Sequence, residues 1–365
     1  MSAAPHLWLA LSPHGYGHAA MTAPVIAEIQ RRLPALRLTI QTQVDPDFLH
    51  SRYRDFNHVD HIADFGFHMV SATGIDLAAS AQGYLDLCDR FDVEVADTAA
   101  RMALDPPHLV LSNVAFIPLA AAARLGIPAL ALSSLNWADM YAHYLGHRPE
   151  APRVLEKLFS AYNGARAFLR CTPSQEMSLN NQVKIGPIAH VGQDRRAEMR
   201  RNLGQIAADR VGLIAFGGIG HDLDLSSWPV LPGWSWLVVS DDVARPDISH
   251  WHHAGLNFSD LIASVDVVVT KPGYGTFTEA GMVGTPVLYT MRPDWPESPH
   301  LDNWLAQHTQ ALATSPDALT GDLANLLQKL FSKRRQGVAA PDGVAEAAEI
   351  IVAELGRVSA VDIRS

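Results

Sequence analysis

Cysteine is nearly absent: the 365 residues contain two, Cys88 and Cys171. Two thiols cannot build a disulfide scaffold or a four-thiolate metal site, and they suit a reducing, cytoplasmic setting. Charge is also scarce, at 18% against roughly 25% in an average soluble domain. The 28 Lys plus Arg face 38 Asp plus Glu, a net −10, which argues against the clustered basic footprint of a nucleic-acid binder. The same acidity argues against a basic lipid-binding surface, while a local apolar contact with a membrane stays open; Trp8, Trp137 and Trp304 are the aromatics that could form one. No Lys or Arg precedes Arg31, so the charged start of a secretory signal is missing and no cleaved leader is expected. Long apolar runs are lacking too. Leu109 to Leu135 carries one charge, Arg124, but Asn113, Pro118, Gly126 and Pro128 break it into strand, helix and strand rather than a membrane span.

What is present is core. At 48% hydrophobic, the chain has enough apolar side chain for fully buried sheets, and its length exceeds the roughly 250 to 300 residues at which one core stops growing. Two domains are expected: residues 1–190, residues 191–340, and a terminal helix and tail at 341–365 that can pack on either, the first being favoured. Both halves repeat one grammar. His6 to Leu11 is an apolar strand, followed by the glycine-rich turn Ser12-Pro13-His14-Gly15-Tyr16-Gly17-His18 and a helix from about Ala19 to Leu33. Leu36 to Gln43 has strand alternation, a further apolar run covers Phe65 to Val70, and Leu85 to Leu104 reads as a long amphipathic helix. Leu109 to Ser112, Pro118 to Leu125 and Pro128 to Ser133 continue as strand, helix, strand. The segment Val183 to Gly192, with Gly186, Pro187 and Gly192, marks the boundary. Strands at Val211 to Phe216, Trp236 to Ser240 and Val265 to Thr270 restart the pattern. Strands alternating with helices predict parallel sheets covered on both faces: an α/β chain of two doubly wound, Rossmann-like domains facing across a cleft.

The segment richest in chemistry is Asp266 to Gly281, a buried strand ending in a glycine turn that starts a helix. Gly273 and Gly275 permit close backbone approach, and the first helical amides, from about Gly275 to Thr278, direct a positive dipole end at an anion such as phosphate, with Tyr274, Gly275 and Thr276 as candidate contacts. Lys271 adds a charge at the same place. Glu279 lies one turn beyond Gly275 on the same face, where its carboxylate can accept hydrogen bonds from the two vicinal hydroxyls of a ribose. The competing reading is that any parallel sheet needs such a turn, the glycines serving only its geometry. After the next strand, Thr285 to Tyr289, the stretch Arg292 to Asn303 reads as a long proline-stiffened loop leaving the carboxyl end of a strand and suited to closing on a ligand; Arg292, His300 and Asn303 are its candidate contacts.

The run Lys271-Pro-Gly-Tyr-Gly-Thr-Phe-Thr-Glu279-Ala-Gly-Met-Val-Gly-Thr-Pro286 resembles the donor-binding signature of the lipid-linked N-acetylglucosaminyltransferases of cell-wall synthesis, inverting glycosyltransferases of the two-domain GT-B fold. It is closer still to the glycosyltransferase-like N-terminal half of L-arabinokinase proteins, in which the Ser12 to His18 loop and the Asn136-Trp137-Ala138-Asp139 stretch also recur. The resemblance covers most of the chain and leaves out the kinase half. It implies a hexosyltransferase-like enzyme that uses a nucleotide sugar, a UDP-sugar in the resembling proteins, with no resident cofactor and no metal, and inverts at the sugar carbon on transfer to a hydroxyl acceptor. It further implies that Glu279 holds the ribose and that Gly17, Gly217 and Gly218 approach the donor. His18 would be the general base that deprotonates the acceptor. Asp139 is the candidate carboxylate that orients it. The residues leave other readings open for His18, including capping of its own helix. His14 and His18, four apart around a glycine loop, lack a third ligand nearby, and His250-Trp251-His252-His253 reads as an exposed loop rather than a metal site. Asn113 and Trp137 fall at strand ends, where core hydrogen bonding competes with acceptor contact. Two rival functions remain: a non-catalytic sugar-nucleotide sensor, and epimerisation of a UDP-sugar on the same fold.

Overall fold

The computed structural model describes residues 4–71, 74–204, 208–216, 225–239, 245–334 and 337–361. It divides into two compact units, the first made of Met1–Val70, Gly74–Ile188 and Asp342–Ser365, the second of Ser71–Thr73 and Ala189–Pro341.

In the first unit the strands at the centre of the sheet are buried on both faces, which is why their sequences read as continuous apolar runs, while the edge strands are partly exposed. These are β1 (His6–Leu11), β2 (Arg37–Gln41), β3 (Phe56–Val59), β4 (Leu109–Asn113), β5 (Ala129–Ser133), β6 (Ala167–Cys171) and β7 (Gln182–Ile185), all parallel, in the spatial order β3-β2-β1-β4-β5-β6-β7. The crossovers are α1 (Gly17–Arg32), α2 (Pro46–Arg52), α3 (Leu77–Leu104), α4 (Ile117–Leu125), α5 (Trp137–Leu145) and α6 (Ala151–Gly164). Chain order reverses between β1 and β4, so the loops leaving those two strands diverge and leave a crevice at their carboxyl ends. Leu11 pairs with Asn113 at that point, and Ser12 N donates to Asn113 O at 2.9 Å.

The second unit contains α7 (Arg196–Leu203), β8 (Arg210–Ile214), β9 (Trp234–Val238), β10 (Ile248–His250), α8 (Phe258–Ser264), β11 (Val267–Thr270), α9 (Tyr274–Val283), β12 (Val287–Thr290), α10 (Ser298–His308), β13 (Ala311–Thr314), α11 (Pro316–Gly321) and α12 (Leu323–Ser332). Its parallel sheet runs β10-β9-β8-β11-β12-β13, the same winding, with its reversal between β8 and β11. Trp228, Trp236, Val269, Leu288 and Leu330 fill one face of it. The last helix, α13 (Asp342–Val361), returns to the first unit. Arg166 pairs with Glu354 of α13, and Gly186 N donates to Glu346 at 2.7 Å. There the backbones of Gly186 and Gly343 approach so closely that a Cβ on Gly343 would overlap Gly186 O.

Two local expectations fail. Phe65 to Val70 is not a strand; Phe65 and Phe67 pack on Tyr84, and the strand lies upstream in the polar Phe56-Asn-His-Val59, where edge pairing with β2 supplies what the sequence pattern does not. The region Arg292 to Asn303 is only partly a loop, because Pro299 sits in the first turn of α10 and starts a helix there. Trp8, Trp137 and Trp304 are buried and form no surface patch. No described helix is long and apolar enough to cross a membrane.

Candidate functional site

Each unit presents a group of polar side chains at its reversal point, and each is described by itself. In the first, α1 begins at Gly17, so His18 occupies its first turn next to the carboxyl end of β4. It does not cap its own helix; the N-cap is Tyr16, which makes no side-chain cap. Instead His18 Nδ1 lies 2.7 Å from Asn113 Oδ1, while Asn113 Nδ2 donates to Met21 Sδ at 3.2 Å. That second bond fixes which end of the amide faces the imidazole. A carbonyl oxygen can only accept, so Nδ1 carries the hydrogen and Nε2 keeps its lone pair. Among the described residues nothing is hydrogen-bonded to Nε2. Burial pulls the His18 pKa down to about 4, with the Asn113 bond partly opposing it. The ring is therefore a neutral base throughout the neutral range, and its midpoint is not the near-neutral one expected from the residue type.

Asp139 is not the orienting carboxylate. Asn136 caps α5 by accepting from Asp139 N, its Nδ2 donates to Asp139 Oδ2 at 2.7 Å, and Ser178 N donates to the same oxygen. The carboxylate is thus spent on the start of α5, the local bond to a residue three positions away winning over a distant imidazole. The neighbours of His18 are Asn113 and Trp137, whose indole meets it edge-on at 5.7 Å between ring centroids. The buried Asp64 accepts from Ser12 and Trp137 behind that indole. Asp64 escaped the sequence reading, although a lone acid between Ala63 and Phe65 was a usable signal.

In the second unit β11 delivers Lys271 and Gly273 to the start of α9. The N-cap Gly273 offers no side chain, and no acid stands in the first turn of α9. The two glycines are not demanded by the turn. Gly273 has an extended φ of −163°, and among the described residues a Cβ on Gly273 would meet nothing nearer than 3.9 Å, one on Gly275 nothing within 4 Å. Lys271 is partly buried, and its pKa falls to about 8: desolvation comes first, then the positive charge of Arg292, with Glu297 opposing. Arg292, after β12, is itself buried and stacks 3.8 Å from the Trp295 ring, whose Nε1 donates to Glu297 at 3.2 Å. The stretch expected to close on a ligand is thus packed at its start, where an aromatic ring and a carboxylate hold it.

Glu279 lies on α9 as expected, its Oε1 accepting from Ser259 Oγ of α8 at 3.0 Å. Ser259 was not foreseen; its position two residues after the N-cap Asn257 gives no sequence signal. Tyr274 is buried and Thr276 half-buried. His300 is in the first turn of α10, Asn303 is exposed on it, and Asp302 between them bonds Tyr289, its carboxyl pushed up to about 6 by burial. Gly217 and Gly218 lie outside the described residues. His250 ends β10 and caps the 3-10 turn Trp251–Ala254 by accepting from His252 N, and His253 Nδ1 meets Ser249 Oγ at 2.6 Å. No group of three potential metal-ligating side chains occurs among the described residues.

Two doubly wound units with polar clusters at their reversal points define a GT-B fold, the two-domain Rossmann-like fold of glycosyltransferases. The calicheamicin glycosyltransferase CalG4 is similar over 97% of this chain and 99% of its own, with a TM-score of 0.63 and 16% identity. UGT89C1 of Arabidopsis thaliana, solved in complex with UDP, is similar over 96% and 99%, with a TM-score of 0.59 and 15% identity. A protein described as a UDP-N-acetylglucosamine 2-epimerase from Listeria monocytogenes is similar over 95% of both chains, with a TM-score of 0.55 and 14% identity. In sequence, L-arabinokinase of Arabidopsis thaliana is 24% identical over 305 residues, 80% of this chain. The chain spans only 29% of that relative's length. No protein-family model matches the chain.

Proposed function

We propose that this chain is a glycosyltransferase that moves a sugar from a nucleotide diphosphate sugar, a UDP-sugar, to a hydroxyl acceptor with inversion and without a divalent metal. The observation that carries the donor half is Lys271. A partly buried cation beside a second one, with the Glu297 carboxylate opposing their repulsion, stands next to helix amides approached through two glycines that the turn does not require, and a bound anion would stabilise that arrangement further. A diphosphate supplies that anion, and Glu279, held by Ser259, supplies the ribose acceptor one turn away.

His18 Nε2 takes the proton of the acceptor hydroxyl as that oxygen bonds to the anomeric carbon. The bond from that carbon to the diphosphate oxygen breaks on the opposite face, which inverts the centre. The charge left on the diphosphate falls to Lys271 and the α9 amides, electrostatic work of the kind a metal ion performs elsewhere. UGT89C1 was solved with UDP and CalG4 is a named glycosyltransferase, which supports the donor class without fixing the sugar or the acceptor.

A thermal-shift panel of nucleotides and nucleotide sugars on wild type and Glu279→Ala tests the donor site, since a ligand stabilises only the state that binds it. A UDP-sugar shift that disappears in the variant is expected; no shift with any nucleotide overturns the reading. Nucleotide release with and without acceptors, in EDTA, then separates the functions. A transferase depends on acceptor, a sensor releases nothing, and an epimerase returns an isomer. His18→Ala abolishes transfer while sparing donor binding if the base is correctly assigned.

A further inference from the structure

Asp64 is fully buried, and both of its carboxylate oxygens are occupied: Ser12 Oγ donates to Oδ1 at 2.6 Å and Trp137 Nε1 donates to Oδ2 at 2.7 Å. The three residues come from separate segments. Ser12 follows β1, Asp64 lies between β3 and α3, and Trp137 opens α5. The transfer chemistry above uses none of them. Yet the indole is the common neighbour of both loop histidines, edge-on to His18 at 71° and to His14 at 74°, with ring centroids 5.7 and 5.2 Å away. Burying a carboxylate is costly, and a packing role for the indole does not require one.

We propose that Asp64 is a positioning residue of the His18 site: its carboxylate holds the Trp137 indole against which the imidazole sits, so that gain of a proton at Asp64 is transmitted through the indole to His18. The significance for catalysis rests on His18 being the base, but the linkage itself does not. Ionised, Asp64 accepts two charge-assisted bonds, each roughly twice as strong as a neutral one. Protonated, one oxygen must donate, the Ser12 hydroxyl must turn to accept, and the hold on the indole weakens.

Burial pushes the Asp64 carboxyl up to about 7, against the opposing pull of Ser12 and Trp137, so both forms are populated near neutrality. The groups facing it are Tyr84 of α3 and Tyr162 of α6, whose hydroxyls burial keeps protonated far above this range. On α5, Asp139 is turned to Asn136 and Ser178. His18 is neutral down to about 4, and His14 is the other ionisable ring beside the indole.

The test is NMR of the full chain between pH 5.5 and 8.5, following the Trp137 indole N–H, assigned by its loss in Trp137→Phe, and the His18 Cε1–H. In wild type both should move through one midpoint near 7. Asp64→Asn keeps the shape and removes the charge, and both resonances should become flat. Ser12→Ala removes one bond to the ionised form and should raise the midpoint. A titration that persists unchanged in Asp64→Asn belongs to another group and overturns the proposal. So does an indole that titrates while His18 stays still. Should Asp64→Asn not fold, an unchanged midpoint in Ser12→Ala overturns it as well. None of these readouts involves a nucleotide or an acceptor, so failure here and failure of the transferase reading are separate results.

Discussion

His18 Nδ1 is 2.7 Å from the amide oxygen of Asn113, so the partner of the candidate base is neutral. An amide fixes the tautomer as a carboxylate would, but it gives the imidazolium no opposite charge. Asn113→Asp should therefore raise the His18 pKa from about 4 by roughly 1 to 3 pH units. The sign for stability follows. Unfolded His18 binds a proton below about 6.5 and folded His18 only below about 4, so its contribution is lost as pH falls through that window, and the variant narrows the loss. Asp64, with its raised pKa, contributes in the opposite direction between about 7 and 3.8, so the difference between variant and wild type is the quantity to read. A Cε1–H titration that stays near pH 4 in Asn113→Asp would sink the assignment.

At the ribose end, Glu279→Ala should cost about 1.5 to 3 kcal/mol of nucleotide affinity, the worth of hydrogen bonds to a charged group. That is roughly ten- to a hundredfold in Kd. Ser259→Ala only frees the carboxylate and should cost less, about 0.5 to 1.5 kcal/mol. Calorimetry with a ribonucleotide and its 2′-deoxy counterpart checks this, because the penalty for removing the 2′-hydroxyl should shrink in Glu279→Ala. An equal penalty in both proteins refutes the ribose contact.

Lys271 gives binding a proton signature. Its pKa is about 8 in the free protein, and a diphosphate beside it favours the ammonium, so complex formation above that pH must draw a proton from buffer. At pH 8.5 a UDP-sugar should bind with an uptake approaching one proton, measured as the dependence of binding heat on buffer ionisation enthalpy, and affinity should fall as pH rises through about 8. Lys271→Arg stays charged and should bind without uptake. Identical uptake in the variant would place the titrating group elsewhere.

Gly66 has a left-handed φ of +66°, and a Cβ there would lie 2.9 Å from the His14 ring and from Trp137 Cζ2. Gly66→Ala combines backbone strain with overpacking, together about 2 to 4 kcal/mol. Urea denaturation should show a lower midpoint at unchanged slope. A loss under about 0.5 kcal/mol would mean that the His14–Trp137 contact yields freely.

Much of the fold was legible because it rests on local signals. The apolar runs of β1, β4, β5 and β11, the glycine turns behind them and the alternation with helices each report a short stretch of chain, and they predicted two doubly wound units. The strand β3 was not legible, because Phe56-Asn-His-Val59 has no pattern of its own and pairs only because β2 presents an edge. The same division holds in the site. Glu279 and Lys271 are set by spacing along one strand, turn and helix. Asn113 was seen only as a polar strand end, and Asp139, attractive as an acid near a helix start, serves that helix.

The sequence by itself determined the alternation of strands and helices and the turn that carries Lys271, Gly273 and Glu279, because those depend on neighbours a few residues apart. Only the tertiary structure decided that an amide 95 positions away in the chain backs His18, and that a carboxylate 73 positions from Trp137 holds the indole beside it. Contacts between distant segments are fixed by how parallel strands stack at a reversal point, and no local pattern encodes which polar side chains that stacking buries together.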